Sequence, residues 1–382
     1  MGKLRRVLVL LGWHDERVLR ALVRHAREAG WQLETRHFFD ETLPQGWSGD
    51  GMLVSNPARP NLLRFMIGQA PRQPTVLIDR NQPGIQVAAH VHEDNLEAGR
   101  MAAEHLLAKG HKHFVWWTSA RGPVPGERFE GFREVLARAD CDCMKLEYLP
   151  GGGSGEWQRR RVWLRRALAK LPRPMGLFAM DDQLAAEAVE ICLASGLDVP
   201  RDVAVVGVGN IALASETSHV PITSVDLAVE EIALAGARCL DQLINGGPAP
   251  VAPLVIPPHG LVARRSSAAL AVTHPVVLRA IEHLRGDLGR PFDAGELGAA
   301  CGVSARTLYN LFRSELRCAP VEFLRREQLA LAREMLANDQ TSIKELVPAC
   351  GFGTARTMNR LFRNQLGCSP KEWRDQNRNA TR

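Results

Sequence analysis

Cys301–Arg325 reads CGVSARTLYNLFRSELRCAPVEFLR, and Cys350–Arg374 reads CGFGTARTMNRLFRNQLGCSPKEWR. From Ala305 against Ala355 the two stretches run in step at an offset of 50, sharing Ala-Arg-Thr, Leu-Phe-Arg and the pairs Leu316/Leu366, Cys318/Cys368, Pro320/Pro370 and Glu322/Glu372. One extra residue, Gly353 or Thr354, lengthens the second copy before its Ala-Arg-Thr. An internal repeat marks the supersecondary unit of a chain. Here the unit is two short helices around a tight turn, the layout of a helix-turn-helix.

Each copy has an apolar and a polar face. After Ser304, placed as an N-cap, Leu308, Leu311, Phe312 and Leu316 fall on one side, and Arg306, Tyr309, Asn310 and Arg313 on the other. The second copy repeats this with Met358, Leu361, Phe362 and Leu366 against Arg356, Asn359, Arg360 and Arg363. Arginine grips guanine and asparagine grips adenine bidentately in the major groove of double-stranded DNA. Arg306, Tyr309, Asn310, Arg356, Asn359 and Arg360 are therefore expected to read bases, with Arg313 and Arg363 on phosphate. The plainer alternative is a pair of amphipathic helices with solvated basic faces. Pro348 falls inside the helix before the second turn, where its missing N–H predicts a kink.

Charge follows the repeat. The chain has 382 residues and a net charge of +6, and residues 271–382 hold 17 Lys/Arg against 12 Asp/Glu, a net of +5. That bias suits a polyanion partner. No apolar run reaches the length of a membrane span, and His14-Asp15-Glu16 cuts short the apolar run Val7–Leu11. No signal peptide, membrane association or disulfide is expected, and a cytoplasmic location is. The eight cysteines lack metal-ligand spacing, and His90-Val-His92-Glu93 and His111-Lys-His113 have the period of strand ends or loops. Neither metal nor cofactor is expected.

Residues 1–265 alternate short apolar runs with amphipathic helices. The strands are placed at Arg6–Leu11, Gln32–His37, Gly51–Ser55, Thr75–Ile78, Val87–Val91, Phe114–Trp117, Met144–Leu149, Gly176–Ala179 and Val203–Val208. The helices are Arg17–Ala29, Leu96–Lys109, Arg128–Arg138, Trp157–Lys170 and Gln183–Ser195. Alternation of this kind means parallel sheets covered by helices, and two cycles predict two lobes. Ligands of such sheets sit at the carboxyl ends of the strands. That rule selects Trp13-His14-Asp15, Arg80, Asp94-Asn95, Asp181-Asp182 and Gly209-Asn210. The Pro-rich stretch 246–275 reads as the final strands followed by a linker, and a second domain begins near Thr273 or His274 with helix Val276–Leu288; Val321–Leu336 joins its two repeat units.

Asp94-Asn95…Gly99…Ala102-Ala103…His105-Leu106…Gly110-His111 resembles the sensor core of the LacI/GalR repressors. So do Arg128-Phe-Glu-Gly-Phe-Arg, Ala179-Met-Asp-Asp-Gln-Leu-Ala, Val199-Pro-Arg-Asp-Val-Ala-Val-Val-Gly and Pro221-Ile-Thr-Ser-Val-Asp. Residues 275–378 resemble the AraC-type DNA-binding domain through Ala349-Cys-Gly-Phe and the recurring Leu-Phe-Arg…Cys-x-Pro ends. The combination is the layout of xylose-operon activators. The resemblance implies a two-lobed periplasmic-binding-protein fold over residues 1–267, a linker at 268–274, and an all-α domain with two helix-turn-helix units at 275–382. It implies a homodimer, contact with RNA polymerase, and a sugar-like effector bound by Arg128, by Asp181 or Asp182, and by Trp13, Asp15 and Asn210 from the strand ends.

Two features depart from that pattern. The family carries an acidic residue after Gly-Val, and Gly209 stands in its place here, leaving only Asn210. A buried sugar hydroxyl without its partner costs about 1–3 kcal/mol, which points away from xylose and toward another sugar, a sugar acid or another small polar metabolite. Val203–Ala212, VAVVGVGNIA, also has the Gly-x-Gly-x-x-Ala form of a dinucleotide fingerprint, with Asp226 19 residues after Gly207. An NAD-binding oxidoreductase is therefore one rival reading, and a sugar-binding module with a basic interaction tail is the other. The chain is otherwise expected not to be an enzyme.

Overall fold

The structure, a computed structural model, describes residues 4–12, 15–40, 42–55, 60–80, 85–149, 151, 155–337 and 341–380. It divides into two compact units, one of residues 1–106 with 112–269, the other of 107–111 with 270–382.

The first unit contains two six-stranded sheets. One is built from β1 (Arg5–Leu10), β2 (Trp31–Glu34), β3 (Gly51–Val54), β4 (Thr75–Leu77), β5 (Ala89–Glu93) and the late strand β11 (Leu254–Ile256). Its order is β11-β5-β4-β3-β1-β2, and every pairing is parallel. The other holds β6 (His113–Thr118), β7 (Cys143–Glu147), β8 (Met175–Ala179), β9 (Val203–Val208), β10 (Thr223–Asp226) and β12 (Gly260–Val262). Its order is β12-β10-β9-β8-β6-β7, and only β12 runs antiparallel. The central strands are apolar throughout because helices cover both faces: Val7–Leu10 and all six residues of β9 are buried.

Helices α1 (Glu16–Ala29), α2 (His37–Asp40), α3 (Pro60–Gln69) and α9 (Val229–Ile244) serve the first sheet. Helices α4 (Asn95–Ala108), α5 (Pro123–Arg138), α6 (Glu156–Leu168), α7 (Asp182–Ala194) and α8 (Ala212–Ser215) serve the second. The chain crosses between lobes at Asp94, after Asp226, and between Ile256 and Gly260. Asp15 caps α1, accepting from Arg17 N, and Gly30 ends that helix in the left-handed region at φ 66°. Several elements differ from the sequence expectation. Strand β2 stops at Glu34 because α2 takes up His37, and α3 and α9 were not assigned from periodicity. Helix α5 starts five residues before Arg128, since Pro123 fits the first turn, where no N–H is needed.

In the second unit α10 (Pro275–Gly286), α11 (Ala294–Ala300), α12 (Ala305–Leu316) and the start of α13 (Pro320–Ala337) enclose one apolar core, including Leu284, Leu297, Leu308, Phe312 and Phe323. The end of α13 with α14 (Ile343–Ala349), α15 (Ala355–Leu366) and α16 (Pro370–Ala380) encloses another, including Leu336, Leu346, Met358 and Phe362. Ser304 caps α12 and Thr354 caps α15, each accepting from the N–H three residues on. Pro348 lies inside α14, one residue before its last, where it supplies no N–H to the Lys344 carbonyl. The first recognition helix ends on Arg317 at φ 55° and the second on Gly367 at φ 70°, a conformation that costs arginine more than glycine.

Candidate effector cleft and nucleic-acid interface

The carboxyl ends of the two sheets meet in a set of charged side chains, and three guanidinium groups cross between the lobes. Arg17, on α1, donates to Asp15 at 2.7 Å, to Asp226 at the end of β10 at 3.3 Å, and to the Gly209 carbonyl at 2.8 Å. Arg80, after β4, donates to Glu127 of α5 at 2.7 Å. Arg128 is 6% exposed and donates through Nε to Asn95 at 2.8 Å and through Nη1 to the Met180 carbonyl at 2.6 Å. Its Nη2 faces Glu93 at 3.5 Å. A fork of this kind suits vicinal hydroxyls or a carboxylate, because its donors diverge in one plane.

Helix packing sets the place of Arg128. A Cβ on Gly131 would lie 1.9 Å from the Leu96 carbonyl oxygen, and one on Gly99 would lie 2.1 Å from the Arg128 carbonyl oxygen. Helices α4 and α5 therefore touch through reciprocal glycines, and this contact brings Asn95 and Arg128 together. Behind them Trp116, Phe132 and Phe178 pack ring on ring at centroid distances of 4.9 and 5.1 Å.

The other expected effector residues divide by environment. Asp181 is the half-buried N-cap of α7, accepting from Leu184 N at 2.7 Å, and burial raises its pKa against that bond. Asp182, the next residue, is fully buried. Its Oδ2 accepts from Ile211 N at 2.8 Å, while Oδ1 lacks a partner and sits where a Cβ on Gly207 would be 2.3 Å away. Asn210 has φ 51°, and its side chain accepts from Arg264 at 2.7 Å, so Arg264 holds its amide oxygen. Asp15 is committed to capping α1 and to Arg17. Trp13 lies outside the described residues.

Burial pushes the Asp182 carboxyl up to about 6. A raised folded-state value means that the folded chain binds the proton more tightly than the unfolded one. Stability from this group is complete below about pH 4 and is lost as pH rises through about 6. Relative to Asp182→Asn, the wild type should lose about 3 kcal/mol of stability between those limits. Urea midpoints of both proteins at pH 4.5 and pH 7.5 check this; a constant difference contradicts it.

Sequence reasoning missed Arg17, Glu93 and Glu127. Where the family pattern places an acidic side chain, this chain has the Gly209 carbonyl receiving Arg17. The signal for Glu127 was its position next to Arg128. The dinucleotide reading of Val203–Ala212 fails on geometry. After β9 the chain makes only the four-residue α8 before returning as β10, so no long helix N-terminus is available for a pyrophosphate. Gly207 serves the approach of Asp182, and Gly209 adopts φ 121°. Among the described residues no group of three or more His, Cys, Asp or Glu is placed to hold a metal, and no cysteine forms a disulfide. No described helix is long and apolar enough to cross a membrane.

On the helix-turn-helix faces Arg306, Asn310 and Arg313 are exposed and Tyr309 is half-buried, while Arg356, Asn359, Arg360 and Arg363 are all exposed. Asn359 donates to the Ala355 carbonyl of its own helix at 2.9 Å. The apolar partners Leu308, Phe312, Met358 and Phe362 are fully buried. Each face thus presents its polar side chains as a set.

Residues 103–267 match the family described as a periplasmic binding protein-like domain, and residues 297–376 a helix-turn-helix domain. The xylose operon regulatory protein of Haemophilus influenzae is 26% identical over 269 residues, 69% of this chain and 68% of that protein. The solved structure of the xylose-binding transcription activator xylR has the same fold across 98% of both chains, with a TM-score of 0.59 at 21% identity. The transcriptional regulator CelR, solved as a cellobiose complex, superposes with a TM-score of 0.54 at 26% identity, over 69% of this chain and 85% of that one. These relatives are regulators and not enzymes. The chain thus carries a periplasmic-binding-protein-like sensor domain followed by an AraC-type helix-turn-helix domain, and it is homologous to the xylose operon regulatory proteins.

Proposed function

We propose that the chain is a transcriptional activator switched by a sugar, a sugar acid or a related small polar metabolite bound between the sensor lobes. The observation that carries this reading is the set of cross-lobe contacts made by Arg17, Arg80 and Arg128 at the strand ends. A polar ligand entering there competes for the same donors and changes which lobe contacts form. Its differential affinity for the two arrangements biases the lobes, with a coupling typically of about 1–3 kcal/mol. Relatives named for xylose and cellobiose support a saccharide class. The Gly209 carbonyl, in place of a carboxylate, argues for a hydroxyl pattern different from that of xylose. The protein acts in the cytoplasm as a homodimer through its sensor units and contacts RNA polymerase. A thermal-shift screen of aldoses, disaccharides and aldonic acids tests the sensor assignment: at a hundred times Kd, a ligand adds about 2.7 kcal/mol of stability. A screen in which no compound of these classes raises Tm contradicts it.

Within the second unit, Arg306, Tyr309, Asn310, Arg356, Asn359 and Arg360 read base edges and Arg313 and Arg363 hold phosphates, the two recognition helices lying about 34 Å apart on one face of the duplex. Arg356→Ala should cost about 1–3 kcal/mol and relax preference at particular base pairs. Arg363→Ala should weaken all duplexes alike and lower the salt slope by about 1. Binding to sequence variants of a selected duplex over a salt series separates the two; equal and uniform losses in both mutants sink the assignment.

A further inference from the structure

The two helix-turn-helix halves have separate apolar cores, and α13 is the element that contributes to both. Phe323 and Leu324 enter the first core; Leu329, Ala332 and Leu336 enter the second. Between these sets lies Gln328, a polar side chain only 6% exposed. Its Nε2 donates to the Leu288 carbonyl at 2.9 Å and to the Gly351 carbonyl at 2.8 Å. Leu288 follows α10 in the first half, and Gly351 lies in the turn of the second. Gly351 has φ 71°, and a Cβ there would stand 1.9 Å from the Leu288 carbonyl oxygen and 2.6 Å from the Gly289 Cα. The backbones of the two halves are thus in contact, with one amide donating to both sides of the contact.

We propose that Gln328 is a positioning residue that fixes the distance and phase between the two recognition helices, making the spacing of two DNA half-sites part of what the protein recognises. A helix joining two cores leaves their relative rotation to whatever else connects them. Here the further connection is two part-buried hydrogen bonds from one amide, whose acceptors cannot move apart without losing the donor. Each base pair inserted between half-sites adds about 3.4 Å of separation and also rotates the second site about the duplex axis. The tie resists both displacements. Gly351 is part of the same device, because any side chain there would push the halves apart.

The inference rests on DNA recognition by both halves, and the experiment separates the two claims. The full-length chain is incubated with a random duplex library, with and without a pool of aldoses and aldonic acids, and the bound sequences are read. The wild type should return two half-site motifs at one spacing, and a one-base-pair insertion in the selected duplex should lower affinity roughly tenfold. Gln328→Met, which keeps the side-chain length and removes both donors, should retain both motifs while reducing the insertion penalty to about threefold or less. Gly351→Ala, altering the contact from the other side, should do the same. A Gln328→Met protein with the wild-type penalty overturns the proposal, as does a wild type returning several spacings. Loss of one motif in Gln328→Met also overturns it, showing a requirement for folding and not for spacing. A wild type that enriches no sequence counts against the DNA-binding reading itself.

Discussion

Arg128→Ala is expected to abolish the effector response and to lower the stability of the sensor by about 3–5 kcal/mol. The size of the effect follows from burial. Arg128 is 6% exposed, and its removal leaves the Asn95 amide oxygen and the Glu93 carboxylate inside the protein without their donor. Breaking a buried pair costs more than the pair contributes, because the remaining group has lost both its partner and its water. The Met180 carbonyl also loses a 2.6 Å bond immediately before Asp181. Duplex binding without effector should survive, since the helix-turn-helix unit has its own cores. Urea unfolding reads the stability, and duplex binding against effector concentration reads the response. An unchanged effector curve contradicts the role given to Arg128.

Gly131→Ala should be nearly as damaging without removing any polar group. The added methyl would meet the Leu96 carbonyl oxygen at 1.9 Å, and backbone cannot step aside as a flexible side chain does. Overpacking costs typically about 1–3 kcal/mol, and this substitution should lie at or above the upper end. It should also weaken effector binding, because α5 carries Arg128 less than a turn earlier. Gly126→Ala supplies the control: the same helix has open space at that position, and alanine removes glycine's penalty in a helix. Gly126→Ala should leave the urea midpoint unchanged or slightly raised. Equal behaviour of the two variants would contradict the account of α4–α5 packing.

What was legible in the sequence was what depends on near neighbours. Apolar runs bounded by turns located most of the parallel strands, and the 50-residue offset located both recognition helices. The cap at Ser304 depends on a bond three residues away, so local chemistry suffices for it, whereas the equivalent cap at Thr354 was not assigned. The helices α3 and α9 were missed because partners distant in sequence decide them; Gly236 of α9, for example, faces Ile78 across the layer.

The cleft was legible only in part. The strand-end rule found Arg80, Asn95 and Asp181, and the family pattern found Arg128. Which of two adjacent aspartates is buried could not be read from their order. It depends on Gly207, 25 residues later, leaving room for one carboxylate. The same glycine produced the false dinucleotide pattern. Arg17 went unread because its partners Gly209 and Asp226 are roughly two hundred residues away, and the spacing Asp15-x-Arg17 looks like an ordinary helix start.

The most direct test joins the two units. The full-length chain is titrated with its selected duplex at one salt concentration, without effector and with the compound giving the largest thermal shift. A coupling of about 1–3 kcal/mol predicts a change in duplex Kd of about 5- to 150-fold, and the same factor in effector Kd when duplex is saturating. A duplex Kd that does not move with effector present would contradict control of DNA binding by the sensor cleft.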